Sequence, residues 1–431
     1  MIPVTKQISP FLTLKTVSTD KFKTERISIT VEDIPDARRT PIERFVFSVL
    51  KRGCVSYPTQ QKLNLRLDEL YSASVSPFFL PGGARHKMGF CADMLADAYT
   101  GENIFEKTVE LLFDMFWNPV TENGSFLEKY VESERENICD SIRSVVNNPR
   151  LYAVRRFLEV MYAGDDYSLS SNGTVELVNS ITADELTSVY NELIKNSSYE
   201  VFYVGAKSAD EVEATVIKYF EKYGYGKVKN ARKAVDFAIN TKKVKRVTEE
   251  MKLSQGKLVM GFKCGINITC GDDFYAMLML NEIFGASPVS KLFMNVREKL
   301  GLCYYCSSRY DVHKGFLYVS SGIEKSDRAK TEKEILKQLS NIQKGKITDA
   351  EFTAAKRSLL NVYSETTDSA VAIERFYMLR DEYSVLDTID VAKQKINAIT
   401  LDDVLRIAKN IILDTVYFLQ GRDGEEGDSD D

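Results

Sequence analysis

A long-range internal repeat constrains the fold of this chain more than any other feature of its sequence. Residues 178–205 read VNSITADELTSVYNELIKNSSYEVFYVG, and residues 396–421 read INAITLDDVLRIAKNIILDTVYFLQG. Thr182 and Thr400 each stand three positions before an acidic residue. This is the capping-box pattern, in which a hydroxyl and a carboxylate satisfy free helix amides. An amphipathic helix, a short β-rich run and a glycine then follow in the same order, so we predict a duplicated α/β domain.

The repeat divides the chain into two similar halves. We predict an N-terminal domain over residues 1–223, a linker over 224–250, a C-terminal domain over 251–421 and a disordered acidic tail over 422–431. The linker segment is basic and weakly periodic. Because it lacks an aromatic ladder, we interpret it as a solvated connection rather than a nucleic-acid-binding arm.

Composition and charge argue against several functional classes. Lys and Arg total 57 against 62 for Asp and Glu, and the resulting net charge of −5 disfavours a nucleic-acid-binding protein. No stretch approaches the ~20 apolar residues of a membrane helix, and the first residues lack the apolar core of a signal peptide. Seven cysteines favour reduced thiols over a disulfide framework. We therefore expect a soluble, cytoplasmic protein.

The chain has only two histidines, His86 and His313, which lie far apart in the sequence. A local metal site built on two imidazoles is therefore nearly excluded. Each histidine precedes a lysine near the start of a predicted strand, so we interpret both as turn residues rather than ligands. We expect no metal and no cofactor.

Two further segments resemble the insulinase/pitrilysin-like zinc metallopeptidases, a family that includes the mitochondrial processing peptidases. One is Arg297-Glu-Lys-Leu-Gly-Leu-Cys-Tyr304, which is similar to the family's R-x-x-x-G-L-x-Y element. The other is Pro119–Pro149, which resembles the helix that carries the family's downstream glutamates. The resemblance implies an α+β fold of two homologous sandwich halves, as in one half of a clam-shell peptidase, with antiparallel sheets and helices packed on one face.

Active members of that family carry an H-x-x-E-H zinc motif on the first helix of the N-terminal half, just before a glycine. Alignment on that glycine places Arg44, Phe47 and Ser48 at the motif positions. The family's two downstream glutamates fall on Glu134 and Ser141, so the ligand position is a serine. Arginine and serine cannot complete a tetrahedral zinc site, and a phenylalanine cannot act as a general base. The resemblance is therefore to a degenerate bacterial member.

Arg297 and Tyr304 are the candidate substrate-binding residues. In active members the matching arginine and tyrosine hydrogen-bond the peptide backbone and polarise the scissile carbonyl. The alternative is that both are only elements of the fold, a surface arginine and a strand tyrosine, with no role in binding.

Two other clusters receive structural interpretations. Glu132, Glu134, Glu136 and Asp140 lack nitrogen or sulfur donors nearby, so we interpret them as a solvated helix face. Cys303 and Cys306 form a C-x-x-C in a predicted strand, where residues three apart point to opposite faces, so we expect no thiol function.

These observations favour a non-catalytic peptidase-like subunit that binds peptide or unfolded protein. Some members of the family work as a pair of one zinc-bearing and one degenerate subunit. The resemblance therefore implies a zinc-bearing homologue as partner in a heterodimer, with a homodimer as the alternative. A peptide-binding scaffold with no role in proteolysis and an atypical zinc metallopeptidase also stay open. We expect no nucleic-acid and no membrane partner.

Overall fold

The computed structural model describes residues 1–83, 85–168, 170–224 and 243–422 and divides the chain into two compact units. Unit 1 comprises Met1–Arg143, Leu169–Ala234 and Thr366–Glu382, and unit 2 comprises Ser144–Ser168, Val235–Glu365 and Tyr383–Asp431. Both units are discontinuous in sequence. The predicted linker lies outside the described residues from 225 to 242, and so does the predicted tail from residue 423.

Unit 1 is built on a sheet whose described strands run in the order β1-β2-β8-β3-β5-β4, with β2 and β8 parallel and the other pairs antiparallel. The strands of the unit are β1 (Val4–Ser9), β2 (Leu12–Ser18), β3 (Thr24–Asp33), β4 (Ser74–Leu80), β5 (His86–Leu95), the short pair β6 (Thr121–Glu122) and β7 (Ser125–Phe126), and β8 (Tyr199–Gly205). Its helices are α1 (Arg39–Leu50), α2 (Gln60–Glu69), α3 (Ile104–Trp117), α4 (Glu128–Ser144), α6 (Val175–Ser180), α7 (Ala183–Asn196), α8 (Ala209–Tyr223) and α12 (Ala370–Glu382).

Unit 2 has a sheet in the order β11-β12-β10-β13-β9. Among its described strand pairs, β13 and β9 are parallel and the others are antiparallel. Its strands are β9 (Lys245–Met251), β10 (Gly256–Lys263), β11 (Tyr305–Asp311), β12 (Phe316–Ile323) and β13 (Ile412–Gly421). Its helices are α5 (Pro149–Met161), α9 (Asp272–Asn281), α10 (Arg328–Gln343), α11 (Asp349–Glu365), α13 (Ile389–Ala398) and α14 (Leu401–Ala408).

The strand alternation of β3 shows how the unit 1 sheet is covered. Ile27, Ile29 and Val31 belong to the main hydrophobic core, which also contains residues of α1, α3 and α7. Arg26 and Ser28 alternate with them and therefore face the other side of the sheet, where both contact Glu374 of α12. Helices therefore lie on both faces of this sheet. The predicted α+β class with antiparallel-rich sheets is confirmed, but its restriction of helices to one face is wrong, because a segment distant in sequence supplies the second cover.

The predicted repeat has the expected local structure. The Thr182 hydroxyl accepts from the Glu185 amide at 3.1 Å, and that of Thr400 accepts from the Asp403 amide at 3.3 Å. Of these two caps, the one at Thr400 forms the full capping box, because the Thr400 amide donates back to the Asp403 carboxylate at 3.0 Å. The Glu185 carboxylate accepts from Arg38 instead.

The interpretation of residues 224–250 as a linker is wrong at its C-terminal end, because Lys245–Met251 forms strand β9. β9 lies at one end of the unit 2 sheet and exposes alternate charged residues, so its sequence carries little apolar periodicity. None of the described helices is long and apolar enough to cross a membrane.

Candidate functional site

Helix α1 carries the three degenerate motif positions, and each side chain makes a contact of its own within unit 1. Arg44 is partly buried: its guanidinium lies 4.3 Å from the centre of the Phe79 ring and donates to the Ser171 hydroxyl. Burial lowers the pKa of Arg44 from its ordinary value. The position of the first family histidine is therefore occupied by a cation that packs on an aromatic ring and has no lone pair for a metal.

Phe47, at the position of the catalytic glutamate, is a core residue. Its side chain is 3% exposed and meets Phe90 and Phe116 edge-on, with ring centres 5.7 and 5.5 Å apart. Edge-to-face aromatic packing of this kind stabilises the core, and it leaves no group that could accept or deliver a proton.

The remaining two motif positions are serines. The Ser48 hydroxyl donates to the Arg44 carbonyl one helical turn back, at 3.2 Å. Ser141 is exposed on α4. Neither hydroxyl belongs to the usual zinc ligands, which are cysteine, histidine and carboxylate side chains.

Glu134, the one family glutamate that remains, forms an ion pair with Arg52 at 2.5 Å, and both side chains are largely buried. Its neighbours Glu132, Glu136 and Asp140 are exposed, as predicted for a solvated helix face, but the same prediction is wrong for Glu134 itself. Among the described residues, no three His, Cys, Asp or Glu side chains lie in an arrangement that could hold a metal ion. The residues at the motif positions therefore do not fit a zinc ion.

A buried polar cluster beside the degenerate motif went unpredicted. Glu43 precedes Arg44 on α1 and is fully buried, and its carboxylate lies 3.1 Å from the His86 Nε2 and 2.7 Å from the Arg39 Nε. Burial lowers the pKa of His86 to about 4, so the imidazole is neutral at pH 7. Burial, together with a hydrogen bond to Glu43, raises the pKa of Asp33 to about 6. The sequence signal was weak, since the cluster joins residues from two strands and a helix.

The prediction of a turn residue holds for His313 but is wrong for His86, which is a buried residue of the sheet. His86 is the first residue of strand β5, and His313 lies in the turn between β11 and β12. The His313 Nδ1 is 2.8 Å from the Tyr383 hydroxyl, within unit 2.

Arg297 lies in unit 2, in a short π-helical segment, Phe293–Lys299. Its side chain is 43% exposed; the guanidinium lies 4.8 Å from the Phe293 ring centre and 3.6 Å from the Glu298 carboxylate. The Arg297 carbonyl accepts from the amide of Gly301, whose φ of +59° favours glycine. This turn ends the helical segment and leads the chain toward Tyr304.

Tyr304 is 69% exposed and immediately precedes strand β11. Its amide donates to the Gly322 carbonyl of β12 at 3.0 Å, so the backbone is held at the sheet while the ring projects into solvent. β11 is the last strand in the order of its sheet and pairs with β12 on one side. The motif therefore places an exposed tyrosine at the start of an edge strand.

The interpretation of Cys303 and Cys306 assumed that both lie in one strand, and the structure places only Cys306 in it. Cys303 precedes the strand, the chain bends at Tyr304, and strand alternation begins only at Tyr305. Both side chains are buried.

Comparison with known proteins identifies clear relatives. The family model described as Peptidase M16 inactive domain matches residues 180–359. The probable inactive metalloprotease YmfF of Bacillus subtilis (strain 168) is 30% identical over 419 residues, which cover 96% of each chain. The uncharacterized zinc protease YmxG of the same organism is 23% identical over 309 residues, 70% of this chain and 72% of its own.

Two solved structures have the same fold. A conserved protein from Enterococcus faecalis V583 has a TM-score of 0.90 and 26% identity, with both chains covered completely. A peptidase M16 inactive domain from Pseudomonas fluorescens has a TM-score of 0.79 at 14% identity, over 99% of this chain and 100% of that chain. At that identity the second likeness supports the fold alone.

Proposed function

The chain belongs to the peptidase M16 family as a non-catalytic member, and we propose that it binds extended peptide or unfolded-protein segments along strand β11 and acts beside a zinc-bearing homologue. The observation that carries the proposal is the exposed Tyr304 at the start of an edge strand, with the half-exposed Arg297 on the preceding segment. An edge strand offers backbone donors and acceptors to an added strand, and flanking side chains supply specificity.

A cavity beside β11 supports this mode of binding. It has a volume of about 280 Å³ and lies between helix α5 and the two strands β11 and β12. Ser307 and Arg309, which share one face of β11, contribute to its lining. Since alternate side chains of an added strand would point to that face, the cavity can receive one of them.

The corresponding edge of unit 1 is less suited to strand addition. β4 is the last strand of its sheet, as β11 is in unit 2, but it contains Pro77 in its middle. Proline lacks the backbone donor that a continuous ladder requires and is a common means of protecting an edge strand. β11 contains no proline. The contrast favours β11 as the peptide-binding edge.

The partner proposal rests on the residues at the motif positions. Since Arg44, Phe47 and Ser48 cannot bind or activate a zinc-bound water, hydrolysis would require a zinc site on another chain. Bacillus subtilis has both a probable inactive metalloprotease and uncharacterized zinc proteases among the relatives of this chain. Such a pair is the arrangement that we propose.

The test uses the full chain and a fluorescein-labelled unfolded peptide in an anisotropy titration. We expect Arg297→Ala and Tyr304→Ala each to weaken binding about tenfold, the effect of losing one well-placed contact of roughly 1.4 kcal/mol. Tyr99→Ala and Arg406→Ala are matched controls, because both side chains are exposed and neither residue belongs to β11 or to the segment that precedes it. Equal affinity in all four variants would remove the motif from peptide binding. Mass spectrometry of the recovered peptide completes the test: cleavage by the isolated chain would support an atypical peptidase instead.

A further inference from the structure

Another cavity of unit 2 is lined mainly by charged and amide side chains. Its volume is about 420 Å³, and its lining comes from helix α10, the turn after it, the start of α11 and the segment 291–300. A cavity of this size is ordinary for a small-molecule site. Its charged residues are four lysines and two glutamates: Lys291, Lys299, Lys337, Lys346, Glu334 and Glu351. The lining therefore carries an excess of positive charge.

The two glutamates and two of the lysines already have partners. Lys291 is 6% exposed, and its ammonium group lies 2.7 Å from the Glu351 carboxylate, which also accepts from the Thr348 amide. Lys337 pairs with Glu334 at 2.9 Å. Each negative charge of the lining is therefore matched within the lining itself. The excess positive charge belongs to the other two lysines.

Three donor groups of the lining have no such partner. Within the part of the chain that the structure describes, no hydrogen bond or ion pair involves the ammonium group of Lys299 or Lys346, or the side-chain amide of Asn341. The Lys346 amide donates to the Asn341 carbonyl at 2.9 Å, which holds these two residues together. Lys299 ends the π-helical segment, in which Asn295 donates to Gln338 of α10 at 3.4 Å. Donors from two segments of the chain therefore line one cavity.

We propose that this cavity binds a small phosphate-bearing ligand, whose phosphate group contacts Lys299, Lys346 and Asn341. A phosphate monoester carries a charge of about −1.5 to −2 at pH 7 and offers three strong acceptor oxygens. It therefore matches two unpaired ammonium groups and one unpaired amide, whereas a single carboxylate would neutralise only one of the lysines. Leu300 and Ile347 add apolar surface to the lining, which the organic part of a phosphate ester can contact.

This site is separate from the proposed peptide site. Arg297 and Tyr304 are not among the residues that line the cavity. The proposal therefore goes beyond the proposed function and does not rest on it. The experiment that tests it contains no peptide, so its failure would leave the peptide-binding proposal unchanged.

The experiment titrates the full-length protein with adenosine 5′-monophosphate, inorganic phosphate or adenosine, by isothermal titration calorimetry in a phosphate-free buffer. We expect one equivalent of adenosine 5′-monophosphate to bind. Inorganic phosphate should bind more weakly, because it has no organic part to contact Leu300 and Ile347, and adenosine should not bind. Lys299→Ala and Lys346→Ala should each weaken binding of the monophosphate about tenfold or more, since each removes a charge-assisted contact. Lys346→Arg keeps the charge and should retain most of the affinity.

Lys333→Ala and Lys344→Ala are the matched controls. Both lysines are exposed, neither lines the cavity, and each substitution removes the same charge as the test variants. Their affinity for the monophosphate should stay close to that of the wild type. Equal losses in the test and control variants would show an unspecific attraction of anions and would overturn the proposal.

Three further results of the wild-type titrations are decisive. Absence of saturable binding for both phosphate compounds would overturn the proposal. Adenosine that binds as tightly as its monophosphate would also overturn it, because the phosphate group would then contribute nothing. Equal affinity for the monophosphate and inorganic phosphate would support the site and assign it to free phosphate.

Discussion

The two sheets are covered in the same way, but the side chains that make the two contacts differ in chemistry. Each sheet has one face covered by a helix from the other half of the sequence: α12 on the unit 1 sheet and α5 on the unit 2 sheet. In unit 1 the contact is made largely through buried charges. In unit 2 it is made largely through aromatic and aliphatic side chains.

The charged contact of unit 1 consists of two sets of ion pairs. Glu374 of α12 is fully buried and accepts from Arg26 at 2.7 Å. Lys15 bridges Glu200 of β8, at 2.7 Å, to Asp381 at the end of α12. Each of these side chains therefore has a partner of opposite charge, which is the condition under which burial of a charge is tolerated.

The apolar contact of unit 2 centres on Phe157 of α5. Phe157 is fully buried and packs with Val259, Phe316 and other apolar residues of the sheet. A Cβ atom on Gly261 would lie 2.3 Å from the Phe157 ring, so the ring occupies the space that a side chain would need. Glu249 is a polar exception in this contact, and accepts from Tyr417 at 2.8 Å.

The difference indicates that one contact contributes mainly stability and the other mainly the choice of partner. Apolar burial stabilises in proportion to area and tolerates many partners of similar volume. A buried ion pair adds little net stability but strongly penalises a mismatched partner. We infer that the charges of unit 1 select α12 for its sheet, while the apolar contact of unit 2 mainly stabilises.

The largest expected effect comes from breaking one buried pair. Glu374→Ala leaves Arg26 buried without its main partner, and we expect a loss of about 3–5 kcal/mol in the free energy of unfolding. Denaturant titration of the transition measures it. Asp368→Ala is the matched control, because its pair with Lys21 is exposed and should be worth less than about 1 kcal/mol. An equal, small loss in both variants would contradict the view that the charged contact depends on its partners.

A second prediction concerns acid. Lys87 and Lys15 hold the pKa of Glu200 at about 2 against burial, below its ordinary value of 4.5. Because the folded-state pKa is the lower one, this group stabilises fully above about pH 5 and the stabilisation is lost as the pH falls toward 2. The loss is at most about 3 kcal/mol.

The pH dependence can be assigned with two variants. Glu200→Gln should flatten the stability curve between pH 5 and pH 2, the window given by the two pKa values of Glu200. Glu249→Gln in unit 2 should flatten it less, because that carboxylate is more exposed. A larger effect from Glu249→Gln would reverse the comparison between the two contacts.

The smallest expected effect tests the apolar contact. Gly261→Ala places a methyl group against Phe157, and we expect overpacking to cost about 1–3 kcal/mol. The double variant Gly261→Ala/Phe157→Leu should recover part of that loss, because leucine withdraws the ring edge. Denaturant titrations of both single variants and the double variant give the coupling. Strictly additive losses would show that the two residues do not share this space.

The sequence also predicts the loss of the family's zinc site. Arg44, Phe47 and Ser48 are incompatible with zinc chemistry as side chains, whatever the fold around them. The family is confirmed by the relatives. The role of Arg297 and Tyr304 stays a prediction, although the structure shows both side chains to be exposed.

The residues that escaped prediction depend on geometry between distant or bent segments. The prediction for Cys303 and Cys306 applied the side-chain alternation of a strand to both residues, but strand β11 begins only at Tyr305. The predicted domain bounds place α5 in the N-terminal domain and α12 in the C-terminal domain, because the apolar pattern of a helix does not indicate which sheet the helix will cover. Strand β9 carried too many charges for a period-two signal.

The sequence by itself determined the duplicated domain, the helix caps at Thr182 and Thr400, and the loss of the metal ligands. Each of these depends on side-chain chemistry or on residues a few positions apart, where local hydrogen bonds decide the outcome. Only the tertiary structure decided that Glu374 meets Arg26 and that Phe157 fills the space at Gly261. Contacts between residues over a hundred positions apart form because buried charges and apolar surfaces must find partners, and no local spacing specifies which partner that is.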